Sequence, residues 1–137
     1  MTANENKVFI ERLMEARSRR DTKPYLDALA DDCIWEIKGT TAWSGRYLGK
    51  TEMIERVLKP LHGQFTSPTR IMPSRILADG DIVVVQCKGD ATTVTGKAYT
   101  NEYCIIFRVG DGQIREVTEY LDTALVDRVL EPPRSAI

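Results

Sequence analysis

The apolar positions in the first half of the chain recur with the period of an amphipathic α-helix. Between residues 5 and 18, the apolar residues Phe9, Leu13 and Ala16 share one side of such a helix. The same spacing predicts a short helix at about 25–30 and a third helix at about 51–61, with stripes formed by Tyr25, Leu26 and Leu29 and by Ile54, Val57, Leu58 and Leu61. We therefore expect three helices, each with one apolar face to bury.

From Phe65 onward the pattern changes to the alternation of β-strands. The predicted strands lie at about 33–38, ahead of the third helix, and at about 66–78, 81–91, 97–109 and 113–122. The pairs Asp79-Gly80 and Asp111-Gly112 are typical of hairpin turns. Helices followed by an antiparallel meander indicate the α+β class. Three helices against one face of a strongly curved antiparallel sheet would enclose a cone-shaped cavity.

The last two strands, Tyr99 to Asp122, form a hairpin with an unusual face. Alternation places on that face Tyr99, Asn101, Tyr103, Ile105, Phe107 and, beyond the turn, Glu119. An apolar face that also carries an amide, two phenols and a carboxylate is more typical of a ligand pocket than of a plain core. The alternative for Asn101 and Tyr103 is a core position with a satisfied polar group.

Three further aromatic residues are candidates for the same pocket. Trp35 belongs to the apolar face of the short strand, while Trp43 and Tyr47 lie in the glycine- and threonine-rich loop at 39–49. A loop that only connects two elements does not require such large side chains. We predict that these residues bind substrate, and packing in the core is the alternative.

Composition limits the classes of partner. The chain has 137 residues, which corresponds to one domain, and a formal net charge of -1, which does not favour nucleic acid as a partner. The basic residues Arg17, Arg19 and Arg20 are interpreted as complementing a helix dipole. The first residues, MTANENK, contain no apolar segment, so we expect neither a signal peptide nor a membrane span, and a cytoplasmic location.

Cysteine and histidine provide no evidence for a metal centre. Cys33, Cys87 and Cys104 lie inside apolar runs without metal-ligand spacing, so they are predicted to be small buried hydrophobic residues. His62 follows Leu61 near a helix end, where the sequence places no evident catalytic partner beside it. We therefore predict no metal and no cofactor.

The order of elements resembles that of the nuclear transport factor 2-like superfamily. The sequence GDGQIREVTEYLD, at residues 110–122, is similar to the turn and strand of the SnoaL-like, ketosteroid isomerase-related proteins. This resemblance covers nearly the whole chain. It implies a cystatin-like cone formed by one SnoaL-like domain at 1–137, a hydrophobic small molecule as ligand, and a homodimer through the convex face of the sheet.

The comparison with ketosteroid isomerases fails where their chemistry occurs. The resemblance places their general-base aspartate near Ile37 and their oxyanion-hole tyrosine near Leu13, and neither residue here can transfer a proton. Their second oxyanion-hole residue would fall near Tyr103, which could still donate a hydrogen bond. Steroid isomerisation by the usual mechanism is therefore not expected.

The resemblance to limonene-epoxide hydrolase suggests a different acid/base group. That relative uses an Asp-Arg-Asp arrangement, and the corresponding residues here would be Asp90, Lys88 and Glu119. A lysine between two carboxylates would keep one of them ionised, while burial would raise the pKa of the other. The residues that would steady the attacking water are replaced by Trp35 and Ile37.

Two alternatives accompany this assignment. Lys88 and Asp90 could form an ordinary solvated strand end, and Glu119 could belong to a structural ion pair. Cyclases of the SnoaL-like group act through a single acidic residue, a role that Asp90 or Glu119 could fill alone. The leading hypothesis is a cofactor-independent cyclase, isomerase or hydrolase for a hydrophobic oxygenated substrate. The competing hypothesis is a non-catalytic ligand-binding or protein-interaction domain with the same fold.

Overall fold

The computed structural model of the protein describes residues 1–133. Its helices are α1 (Ala3–Ser18), α2 (Lys23–Ala28), α3 (Lys50–Met53), α4 (Lys59–His62) and α5 (Thr123–Val129). Its strands are β1 (Leu29–Ile37), β2 (Gly45–Leu48), β3 (Arg70–Asp79), β4 (Ile82–Thr92), β5 (Ala98–Tyr99), β6 (Glu102–Gly110) and β7 (Gln113–Leu121). A π-helical segment, Ile54–Leu58, joins α3 to α4 in one continuous helix.

Helix α1 begins at a capping box and crosses β3 and β4. The Thr2 hydroxyl accepts a hydrogen bond from the Glu5 amide at 3.1 Å, and the Glu5 carboxylate accepts one from the Thr2 amide at 3.3 Å. Its buried side includes Ile10, Leu13 and Met14. The amphipathic helix predicted at 5–18 is therefore present and begins two residues earlier.

The third helix contains a widened turn that helical periodicity does not reveal. Pro60 has no amide hydrogen, and its ring would collide with the carbonyl of Arg56 in a regular α-helix. The π-helical segment that ends two residues before this proline accommodates both effects. It leaves Val57, Leu58 and Leu61 among the residues that line the interior of the cone.

The strands form a strongly curled sheet in the order β2-β1-β7-β6-β4-β3, with β5 paired to the end of β4. The predicted α+β cone is confirmed. The expectation of a purely antiparallel sheet needs one correction, because β1 lies parallel to β7. This pairing joins strands that are distant in the sequence, so no hairpin turn signals it.

The register of the sheet determines which side chains face the helices. Val85 lies opposite Ile105, which lies opposite Glu119, and Glu119 also pairs with Ile37 of β1. Directly opposed residues share one face of a sheet. The neighbouring buried residues on this face include Val83, Phe107 and Val117, each at most 1% exposed. Glu119 therefore occupies a position in the row of core residues.

Candidate active site

Two adjoining cavities lie inside the cone, with volumes of about 60 Å³ and 40 Å³. They share a wall formed by Trp35, Leu61, Tyr99, Tyr103 and Glu119. We call the larger cavity the polar lobe, because Arg17, His62 and Thr69 also line it. The other cavity, the apolar lobe, is completed by Ile37, Trp43, Val57, Leu121, Val126 and Leu130.

Glu119 lies where the two lobes meet, and its carboxyl group is strongly perturbed. Burial raises the pKa of Glu119 from an ordinary value of 4.5 to about 7, although the nearby positive charge of Arg17 and the indole N–H of Trp35 both act to lower it. At neutral pH the carboxyl group is therefore divided between its ionised and protonated forms. Such a group can accept a proton in one step and return it in the next.

The indole N–H of Trp35 is directed towards this carboxyl group. It is buried and makes no well-formed hydrogen bond with any of residues 1–133, although it lies near enough to Glu119 to lower its pKa. Buried N–H groups normally have a partner, and the Glu119 carboxyl group is the one placed for this N–H.

Tyr99 and Tyr103 are the phenols predicted to line the pocket, and the structure places both in the wall shared by the lobes. Burial raises the pKa of each phenol, and contact between the two hydroxyls lowers that of Tyr99 while raising that of Tyr103. Both phenols are therefore protonated at neutral pH and can donate hydrogen bonds.

Asn101 supports the site from behind and does not line either lobe. Its side-chain NH₂ donates to the Tyr99 hydroxyl at 2.9 Å and to the Asp122 carbonyl at 3.1 Å. Its side-chain oxygen accepts from the amides of Glu102 at 2.8 Å and Asp122 at 3.0 Å. The amide is fully satisfied, so Asn101 corresponds to the satisfied core position and not to the substrate-orienting role.

The structure does not bring Asp90 and Lys88 to Glu119. Glu119 lies in the same row of the sheet as Val85, and successive side chains of a strand point to opposite faces. Lys88 and Asp90 are an odd number of residues from Val85, so both point to the face opposite Glu119. Lys88 is exposed. The Asp90 carboxylate, with a side chain 44% exposed, lies 3.5 Å from the Arg20 guanidinium. The expected acid/base group of three residues is therefore not formed.

The other predicted aromatic residues have different positions. Trp35 lines both lobes, whereas Trp43 lines only the apolar lobe and donates its indole N–H to the Glu131 carbonyl at 3.1 Å. Tyr47 lines neither lobe; its hydroxyl donates to the Trp43 carbonyl at 2.8 Å, and its ring packs 6.5 Å from that of Trp35. Tyr47 therefore supports the aromatic wall from behind.

Two basic residues of the polar lobe, Arg17 and His62, are not among the predicted site residues. Arg17 lies in the last turn of α1, as the sequence predicts, and its guanidinium also lines the polar lobe, 4.4 Å from the centre of the Tyr25 ring. Burial, followed by the charge of Arg17, lowers the pKa of His62. Arg17 follows Ile10, Leu13 and Met14 at the spacing of one helix face. His62 follows Leu58 by four residues, which is the same kind of spacing. That spacing is the signal that could have identified them.

None of the helices within residues 1–133 combines the length and the apolarity needed to cross a membrane. The same part of the chain contains no group of three or more His, Cys, Asp or Glu residues arranged to hold a metal ion.

Comparison with protein families identifies the domain. The model of the SnoaL-like domain matches residues 10–117, which is most of the chain. The chain belongs to the SnoaL-like domain family. No curated protein sequence matches this SnoaL-like domain.

Solved structures resemble the SnoaL-like domain over nearly its whole length. An NTF2-like protein of unknown function from Burkholderia pseudomallei is 24% identical, with 90% of this chain and 95% of that chain covered and a TM-score of 0.76. An LEH-like epoxide hydrolase from Mycobacterium tuberculosis is 22% identical, with coverages of 92% and 89% and a TM-score of 0.71. A candidate SnoaL-like polyketide cyclase from Jannaschia sp. is 15% identical, with coverages of 97% and 96% and a TM-score of 0.75. These similarities establish the fold and leave the reaction to be inferred from the site.

Proposed function

We propose that this SnoaL-like domain is a cofactor-independent enzyme that transfers protons at a carbon atom of a small, largely apolar carbonyl compound. The observation that carries the proposal is the position of Glu119, a carboxyl group with a pKa of about 7 between a polar and an apolar lobe. Perturbed carboxyl groups in enclosed cavities are candidates for general acid/base catalysis.

The proposed reaction begins with an ionised Glu119. The carboxylate takes a proton from the carbon next to the substrate carbonyl, the C–H electron pair forms a C=C bond, and the carbonyl electron pair moves onto oxygen. In an isomerisation, protonated Glu119 returns the proton to another carbon of the enolate. In a cyclisation, the enolate carbon attacks a second carbonyl of the substrate, and Glu119 protonates the resulting alkoxide. Both routes regenerate the carboxylate.

The enolate oxygen requires a hydrogen-bond donor, and the shared wall offers the Tyr99 hydroxyl. Tyr99 accepts a hydrogen bond from Asn101, which leaves its own hydroxyl hydrogen free to donate. A preorganised donor of this kind contributes roughly 100- to 1,000-fold in rate.

The number of carboxylates favours proton transfer over epoxide hydrolysis. Among the described residues that line the two lobes, Glu119 is the one carboxylate. A hydrolase of the Asp-Arg-Asp type needs a second acid to protonate the epoxide oxygen, and Asp90 lies on the other face of the sheet. Enolisation needs one carboxylate and a neutral donor, which is the set present here.

The size of the cavity limits the substrate. The lobes, at about 60 Å³ and 40 Å³, are together smaller than a cavity of about 150 Å³ that holds a single benzene molecule in an engineered protein. Apolar side chains form most of the surrounding surface, so the body of the ligand is expected to be hydrocarbon. A monocyclic compound with one or two oxygen atoms fits these limits better than a steroid.

Deuterium exchange tests this proposal even when the product of the reaction is unknown. We expect the protein in D₂O at neutral pD to accelerate exchange next to the carbonyl, roughly a hundredfold or more over buffer, for at least one member of a panel of monocyclic ketones and unsaturated ketones. Proton NMR would measure the exchange, with denatured protein as the control. If no compound of the panel exchanges its hydrogens faster with the protein than in buffer, the proposed enzymatic activity is contradicted. If the same compounds bind, that result instead supports a non-catalytic ligand-binding domain.

A further inference from the structure

Arg17 is a cation on the wall of the polar lobe without an acceptor of its own. Among residues 1–133, its guanidinium makes no hydrogen bond or ion pair, and its Nε atom is buried without a partner. Its guanidinium carbon lies 4.4 Å from the centre of the Tyr25 ring, a cation–π contact that uses none of its N–H groups as hydrogen-bond donors to an oxygen. Of the five N–H donors of the guanidinium, the one on Nε is buried, and leaving it unpaired away from water is costly.

No neighbouring group of the polar lobe neutralises this cation fully. Glu119 is divided between its two protonation states at neutral pH. The nearby His62 is either neutral or positively charged, so it supplies no negative charge, and its lowered pKa favours the neutral form. The lobe thus has a permanent positive charge and an incomplete counter-charge, so an anionic group entering it would be stabilised.

We propose that Arg17 binds the carboxylate of the substrate, which makes the substrate class a small carboxylic acid with an apolar tail and a carbonyl group. This inference rests on the proposed proton transfer for the identity of the carbonyl, whereas recognition of the carboxylate by Arg17 is independent of that chemistry. The guanidinium fork matches the two oxygens of a carboxylate in a way that a lysine ammonium does not.

The arrangement of the lobes gives the orientation of such a ligand. The carboxylate lies in the polar lobe at Arg17, the apolar tail occupies the lobe that contains Trp43 and Leu130, and the carbon between them lies at Glu119. Arg17 therefore determines which end of the substrate enters each lobe, and Glu119 determines where a proton is transferred.

Benzoate and benzyl alcohol form a matched pair of probes, because they share a ring and differ in charge. By protein-observed NMR titration at neutral pH, we expect benzoate to bind the wild-type protein at least tenfold more tightly than benzyl alcohol. Arg17→Met should remove most of that preference and leave the affinity for benzyl alcohol within about twofold, since an ion-paired hydrogen bond is worth roughly tenfold or more. Arg17→Lys should retain part of the preference, because it keeps the charge without the fork.

Arg19→Met is the control substitution, since Arg19 is exposed and paired with Glu15 at 2.9 Å. It should leave both affinities unchanged. Equal affinity of the wild-type protein for the two probes, or an unchanged preference in folded Arg17→Met, would overturn the assignment. Glu119→Gln should keep the benzoate preference. If the wild-type protein prefers benzoate but does not accelerate deuterium exchange, the proposed reaction fails and anion recognition by Arg17 stands.

Discussion

Replacement of Glu119 by Gln is expected to lower the rate of deuterium exchange into a carbonyl substrate by about a hundredfold or more, to the rate in buffer. The amide has nearly the same shape as the carboxyl group but cannot accept the proton, so the loss reports the general-base contribution. For the wild-type protein, the rate should rise with pH up to about 7 and level off above it, because the reaction needs the ionised form of Glu119. NMR exchange rates measured between pH 5 and pH 9 would test both expectations.

Glu116→Gln is the matched control for this prediction. Glu116 lies on the same strand, but it faces the other side of the sheet, where its carboxylate lies 3.1 Å from the Arg108 guanidinium. The exchange rate of this variant should stay within about twofold of wild type, as expected for a surface change. A Glu119→Gln variant that retains more than a tenth of the wild-type rate would remove Glu119 as the base.

Misfolding is not expected to explain the loss in Glu119→Gln. Because burial raises the pKa of Glu119, the native state keeps a proton that the unfolded chain has released between about pH 4.5 and 7. Wild-type stability therefore falls as the pH rises through that interval. The variant lacks this titration, so above pH 7 its free energy of unfolding should equal or exceed that of wild type.

Replacement of Asn101 by Ala is expected to lower the free energy of unfolding by roughly 3 to 5 kcal/mol. Asn101 is 0% exposed, and its amide makes four hydrogen bonds that join β5, β6 and the end of β7. Alanine would leave two backbone amides, a carbonyl and the Tyr99 hydroxyl without these partners. Urea denaturation followed by circular dichroism measures the change.

Asn4→Ala serves as the control for Asn101→Ala, since Asn4 is exposed on α1. Its stability should change by less than about 0.5 kcal/mol. If Asn101→Ala costs less than about 1 kcal/mol, water or other donors replace its contacts, and its assigned role as the support of Tyr99 is incorrect.

The local pattern of the sequence was sufficient to predict most of the fold. Helical spacing identified α1, and strict alternation identified the hairpin of β6 and β7. The π-helical segment before Pro60 and the parallel pairing of β1 with β7 depend on backbone geometry and on contacts between distant segments. Neither produces a change in the period of apolar residues, so neither could be predicted from it.

The candidate site was predicted in part, and the reason differs for each residue. Glu119 was found because alternation placed it on an apolar face. Lys88 and Asp90 were assigned by resemblance to a relative, although the buried neighbours Val85 and Cys87 show that even positions of β4 face outward. Arg17 does lie at the helix end that the sequence predicts, and its spacing from Ile10 also indicates the side of α1 that faces the cavity. For these residues, the spacing from buried neighbours was a better guide to which face they occupy than the roles of residues in a related enzyme.

The most direct test of the central claim is the pKa of the Glu119 carboxyl group in the ligand-free protein. Carbon-13 NMR of protein labelled at glutamate side-chain carboxyl groups, with Glu119→Gln for assignment, would follow its titration. Burial of Glu119 between the two lobes predicts a midpoint of about 7, far above the ordinary value of 4.5. A midpoint between about 4 and 5 would show a solvated carboxylate and contradict the assignment of Glu119 as the general base.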